Sequence, residues 1–425
     1  MPTTHPNWSK TTLYALGSNG NGQLGISHSE DVSKPAKCVF ERDNVKLDYV
    51  PLREQEEIVK IVGGGNHTLL LTSFGTVWTT GSNEHGQQAL QPQIESARAN
   101  RHSPESNTNQ HHNAQAEGID CWTRIVWIGS HALSDANSGK TPAFVTDIAA
   151  AWTTSYFVVD GEIVYSCGSG LKGELGLGPD VIETRIPEIC FRLRDFEPDL
   201  SSSIKQIRSC VSHVVVLSES GRLYGWGASR KGQLGERFRL DRILCAPRNI
   251  ELLAVEEEHS KIDQICVGRD FTYAAATGKQ YQIFLGDEEK SGIDLQELST
   301  LIAASSEAGV ETRAAWTSLV VLLNDGNVRT IGPSRRSLVR STTGQEPLHD
   351  VTAIAVGSEH CLALAKNSSI FAWGWGEHGN CGDQIDDRGH VAGPPNMLWQ
   401  SQKATAMVAG IAAGCATSFF WTQES

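Results

Sequence analysis

Much that would settle a function is missing from this chain. No run of 18 apolar residues occurs in its 425 positions, and the opening Met1-Pro2-Thr3-Thr4-His5-Pro6 has no apolar signal core. A membrane partner and a secretory route are therefore not expected, and the protein should reside in the cytoplasm, with the nucleus as a second compartment. Basic charge is scarce: 36 Lys and Arg stand against 49 Asp and Glu, a formal net charge of −13. A broad cationic grip on DNA or RNA is excluded on that ground, so no direct nucleic-acid contact is expected. Short basic clusters, Arg237/Arg239/Arg242 and Arg335/Arg336/Arg340, read as solvated loop surface. None of the ten cysteines forms a C-x-x-C pair. They should be reduced and mostly buried, as in an intracellular compartment.

Catalytic apparatus is equally sparse. No Ser or Cys nucleophile has a positioned acid partner, and no phosphate-cradling loop precedes a lysine. Gly20-x-Gly22-x-x-Gly25 and Gly374-x-Gly376-x-x-Gly379 match a dinucleotide fingerprint, but no helical pattern follows either. His102, His111 and His112 lack the rigid spacing and fourth ligand of a metal site. The expectation is a non-enzymatic protein with no catalytic residue, no cofactor and no metal.

What the chain does have is repetition. His67/Gly81, Thr154/Gly168, His213/Gly227, Phe271/Gly286, Ser318/Gly332 and His360/Gly374 recur as anchor pairs, five of them 14 residues apart and one 15. Two orphan halves, Gly17 near the start and Thr417 near the end, make a seventh pair if the chain closes into a ring. Each best copy joins two short apolar runs through a polar turn, as in His360-Cys-Leu-Ala-Leu364 and Ile370-Phe-Ala-Trp-Gly374, which is the pattern of a β-hairpin. Gly-rich turns follow at Gly22-Gln-Leu-Gly25, Gly173-Glu-Leu-Gly176 and Gly232-Gln-Leu-Gly235, where Leu can tuck back onto the sheet. Strand-like segments such as Ile58–Val62, Ile204–Arg208 and Val351–Val356 bring each unit to about four strands. One unit cannot bury its own apolar face, so the copies must stack. The fold class expected is all-β: a seven-bladed propeller closed by pairing of the terminal strands, with residues 1–12 as an extension and 13–425 as the propeller. The polar stretch 91–118 should be a disordered excursion.

His67, His213 and His360 recur at one repeat position and read as structural, satisfying backbone groups at the blade turn. Trp78, Trp226 and Trp373 likewise read as packing residues. Trp152 and Trp316 differ, because they fall inside the turn itself, where loops meet solvent. Asn66, Trp152, Ser212, Arg269, Asp270, Trp316 and Glu359 share that turn position and should surround one mouth of the central channel, so they are the candidate partner-binding residues.

The unit Leu13-Tyr-Ala-Leu-Gly-Ser-Asn-Gly-Asn-Gly-Gln-Leu-Gly25, with the G-x-x-H turns, resembles the regulator-of-chromosome-condensation repeat family, over about Leu13 to Trp421. Several copies are eroded: Ala151, Cys210 and Ala315 replace the turn glycine, and Phe271 and Ser318 replace histidine. The chain is most similar to the alpha-tubulin-suppressor or killer-toxin-insensitivity branch. That resemblance implies a monomeric or heterodimeric scaffold bound to a small metal-binding electron-transfer protein, serving tRNA wobble-uridine modification through Elongator and diphthamide synthesis. The alternative implied by the family's founding member is guanine-nucleotide exchange on a small GTPase. Of the turn positions that mode uses, only Asp270 and Glu359 are acidic here.

Overall fold

The computed structural model describes residues 10–90, 119–126, 144–198, 202–251, 261–276, 281–304, 310–333, 348, 350–391, 393–400 and 406–424. The 91–118 excursion, its histidines and the Arg335/Arg336/Arg340 cluster lie outside them.

Seven sheets form around a central channel, antiparallel throughout except where Phe40–Arg42 runs parallel to Ile119–Arg124. The first is built from both ends of the chain: Ala406–Ala413 lies innermost, then Thr417–Glu424, Thr11–Gly17 and Val32–Lys37. Leu13 pairs with Trp421 and Gly17 with Thr417, so the two orphan repeat halves are direct cross-strand partners and close the ring. The other anchors behave the same way: His67 faces Gly81, Thr154 faces Gly168, His213 faces Gly227, Phe271 faces Gly286 and His360 faces Gly374.

The second to seventh blades begin at Ile58, Val145, Ile204, Gln264, Glu311 and Val351. The expectation of four strands per blade holds for the first, third, fourth and seventh, but not throughout. A hairpin of Phe40–Arg42 and Val45–Leu47 extends the second blade to six strands. The fifth and sixth have three each among the described residues. In the fifth blade the Gly-rich turn has been replaced by two helices, Glu288–Ser291 and Leu295–Ala304, which plug Leu298 into the apolar layer.

The second strand of each blade lies between the neighbouring sheets. Leu69–Leu71, Val214–Leu217 and Leu319–Val321 are accordingly buried on both faces, which is why they read as continuous apolar runs rather than alternating ones. The Gly-rich turns carry buried Leu24, Leu175 and Leu234 as the sequence suggests. Gly22 and Gly25 adopt φ of 75° and 67°, a region costly for other residues. Trp78 and Trp226 are buried packing residues, and Trp373 is half-buried against two apolar clusters. All ten cysteines are free thiols, six of them buried; burial raises Cys266 to about 11 and Cys190 and Cys381 to about 12, so these remain protonated and unreactive.

Candidate partner interface at the channel mouth

The innermost strands all run toward the G-x-x-H turns, which gather at one end of the channel. Backbone hydrogen bonds stitch the turns together across blades. Gly65 donates to the Trp152 carbonyl (2.8 Å) and Trp152 to Val211 (3.0 Å); Arg269 donates to Trp316 (2.8 Å), Trp316 to Ser358 (2.9 Å) and Ser358 to Gly414 (3.2 Å). The mouth is thus a rigid rim, with both tryptophans held by their own backbone groups.

Their side chains meet. The rings of Trp152, from the third blade, and Trp316, from the sixth, lie 6.1 Å apart between centroids and are tilted by 44°. Both line the channel, and their contact joins the third blade to the sixth. Trp152 keeps 43% of its surface exposed, a large apolar area for a residue at a rim. A Cβ on Gly65 would collide with the Trp152 ring, which explains a second glycine beside Gly64.

Around this pair, Asn66 is exposed and Glu359 half-exposed. Arg269 Nε approaches Asp270 Oδ2 at 3.4 Å, so those two charges largely cancel. Ser212 is 6% exposed: it contributes wall rather than contact surface. A hollow of about 330 Å³ adjoins Trp316, bounded by Lys231, Arg269, Asp270, Lys290 and Pro333, where the fifth blade's helices have replaced the usual turn. Sequence reasoning found the rim positions but missed this hollow, because its walls come from the eroded segments.

The repeat histidines are structural, by a route the sequence reading missed. His67 Nε2 lies 2.9 Å from Ser155 Oγ, His213 Nε2 3.3 Å from Thr272 Oγ1, and His360 Nε2 3.0 Å from Ser418 Oγ, each hydroxyl belonging to the next blade. The same hydroxyls donate to the carbonyls of Gln87 (2.5 Å), Gln233 (2.8 Å) and Asn380 (2.7 Å), back on the histidine's own blade. Each set is a latch between neighbouring sheets, in which the hydroxyl links the histidine ring to a backbone carbonyl. Burial pushes all three histidines down to about 4, so they are neutral at pH 7 and poor candidates for acid-base work. A signal was present: each blade with histidine is followed by one with Ser or Thr directly after its own anchor. Where Thr154 replaces histidine the next blade has Val214, and the Glu174 carbonyl is met instead by Tyr156 (2.8 Å) and Trp226 (2.7 Å).

Residues 12–420 match the family model described as the RCC1-like domain. The chain belongs to that family. It is 28% identical to the RCC1 repeat-containing protein C10F6.04 of Schizosaccharomyces pombe, covering 97% of this chain and 99% of that one. It is 22% identical to the mouse secretion-regulating guanine nucleotide exchange factor, covering 95% and 82%. Among solved structures it is similar to Prp20p of Saccharomyces cerevisiae, described with its binding properties to Gsp1p and histones, at TM-score 0.65 and 18% identity over 98% and 92% of the two chains. That similarity supports the propeller fold. Among the described residues no helix is long and apolar enough to cross a membrane.

Proposed function

We propose that this RCC1-like propeller is a docking platform that makes and breaks no covalent bond, that the tryptophan-roofed mouth receives the partner, and that the partner is a small GTPase whose nucleotide exchange it promotes. The observation that carries the docking site is the Trp152–Trp316 pair, two large rings held on a rigid rim with apolar surface open to solvent. The partner class is supported by the exchange-factor activity named for the mouse relative. Exchange breaks no covalent bond, so a protein without a paired nucleophile and base can perform it; it needs a firm surface that binds the nucleotide-free GTPase better than the loaded one.

A second reading uses the same face for a small metal-binding electron-transfer protein acting in wobble-uridine modification and diphthamide synthesis. One observation favours keeping it: with Asp270 balanced by Arg269, Glu359 is the one rim carboxylate without an ion pair among the described residues, a thin acidic set for exchange. The deciding experiment adds the protein in catalytic amount to a panel of small GTPases loaded with fluorescent GDP. Accelerated release from one member supports exchange. No acceleration, with recovery of a small zinc-type protein in a pull-down, moves the function to the second reading.

A further inference from the structure

Below the tryptophan roof the channel encloses about 590 Å³, and its wall has a charge pattern unlike the rest of the molecule. Side chains point inward at alternate positions of each innermost strand. Counting back from the anchors, one ring of positions holds Lys60, Asp147, Gln206, Gln264 and Glu311. The next ring toward the mouth holds Arg208 and Arg313 among Ala149, Ala355 and Ala412. Lys60, Lys205, Arg208 and Arg313 line the cavity, and Asp147 is the one carboxylate lining it.

The internal pairing does not use up this cationic charge. Asp147 is shared, with Lys60 Nζ at 2.6 Å on one oxygen and Arg208 Nη1 at 3.4 Å on the other, which also accepts the Ile207 amide at 3.0 Å. Arg313 Nη2 reaches Glu311 at 2.7 Å, and Lys205 has no ion pair among the described residues. Even with Glu311 counted, four cations face two carboxylates, in a protein whose formal net charge is −13. Like charges confined together in a low-dielectric cavity repel, so a cluster of this kind is better satisfied by an anion.

We propose that the channel is a binding site for a compact, multiply charged oxyanion of the phosphate class. The planar guanidinium groups of Arg208 and Arg313, on the fourth and sixth blades with one blade between them, suit bidentate contact with such oxygens, while Lys60 and Lys205 supply point charge. The small residues of the upper ring leave space for the ligand. Entry is from the end away from the roof, where Val59 is exposed and Lys205 also lines the cavity. A free polyphosphate and a phosphorylated side chain offer the same chemistry, and the test separates them.

The test titrates the full chain with sodium tripolyphosphate, and in parallel with a phosphoserine peptide, at ionic strength matched with chloride, using thermal melts and calorimetry. Saturable stabilisation by tripolyphosphate, weakened at least tenfold in Arg208→Gln and Arg313→Gln, supports the site; saturation by the peptide alone assigns it to a docked segment. Burial, with Arg208 adding repulsion and Asp147 opposing, lowers Lys60 to about 8. Binding at pH 8 should therefore take up protons, seen as a buffer-dependent heat. Should an arginine variant fail to fold, Lys205→Gln at the open end gives the same comparison. Absence of saturable stabilisation of the unmodified protein, or equal affinity in folded arginine variants, overturns the proposal.

Discussion

The junction between the second and third blades and the junction between the fifth and sixth occupy equivalent places in the ring, yet they are closed by different chemistry. At the first, His67, Ser155 and the Gln87 carbonyl form a buried polar latch. At the second, Phe271 and Leu319 stand at the same positions and join one apolar cluster. The shape is kept: a Cβ on Gly64 would strike the His67 ring, and one on Gly268 would strike the Phe271 ring. At these two junctions a flat ring sits on a glycine against a matching neighbour, polar with polar in one and apolar with apolar in the other. The apolar version frees the second turn, and in the fifth blade that turn has become two helices and the hollow beside Trp316.

Ring closure underlies both kinds of junction and should show the largest effect. Removing residues 406–424 deletes the two inner strands of the first blade and exposes the edge of Thr11–Gly17. Aggregation, or a melting temperature lower by more than about 10 °C, is expected; an unchanged melt would show that the terminal pairing carries no stability.

Acid should separate the two regions next. The three latch histidines sit near 4 in the folded state and near 6.5 when free. The unfolded chain takes up those protons first, so stability falls as pH drops from 6.5 toward 4, by about 3 kcal/mol per histidine at the limit. Urea midpoints at pH 7, 5.5 and 4.5 should show this slope, and His213→Gln should make it shallower. An identical slope in the variant would contradict the latch as its source.

In the eroded region the fully buried Leu298 carries the junction, and Leu298→Ala should cost about 2 to 5 kcal/mol by equilibrium unfolding. A loss under about 0.5 kcal/mol would mean that the helix only decorates the blade. The smallest effect is the most specific. Phe271→His alone should destabilise by placing a polar ring against Leu319; adding Leu319→Thr should recover part of the loss, giving a coupling of about 0.5 to 3 kcal/mol in a double-mutant cycle. Strict additivity would refute the matching rule.

The repeat anchors made most of this fold readable from the chain, because residues paired across a hairpin must keep fixed spacing. The Gly17–Thr417 pairing came from the same arithmetic. Two features were not readable. Strand count departed from four in the fifth blade because Glu288–Ala304, where a turn and fourth strand were expected, folds largely as helix. The rim was predicted by position, but not the meeting of Trp152 and Trp316, because a contact across the ring depends on how two side chains lean and not on spacing along either strand. The histidine latches lay between: their hydroxyl partners are written one residue after the next anchor, and only a comparison of successive blades reveals them.

The central claim is that a partner docks on the tryptophan-roofed mouth. Its most direct test is the affinity of a Trp152→Ala, Trp316→Ala double variant for the captured partner, measured beside its melting curve. A fold that melts as before, with binding weaker by more than about 2 kcal/mol, is the expected result. Full affinity in that folded variant would place the interface elsewhere on the ring.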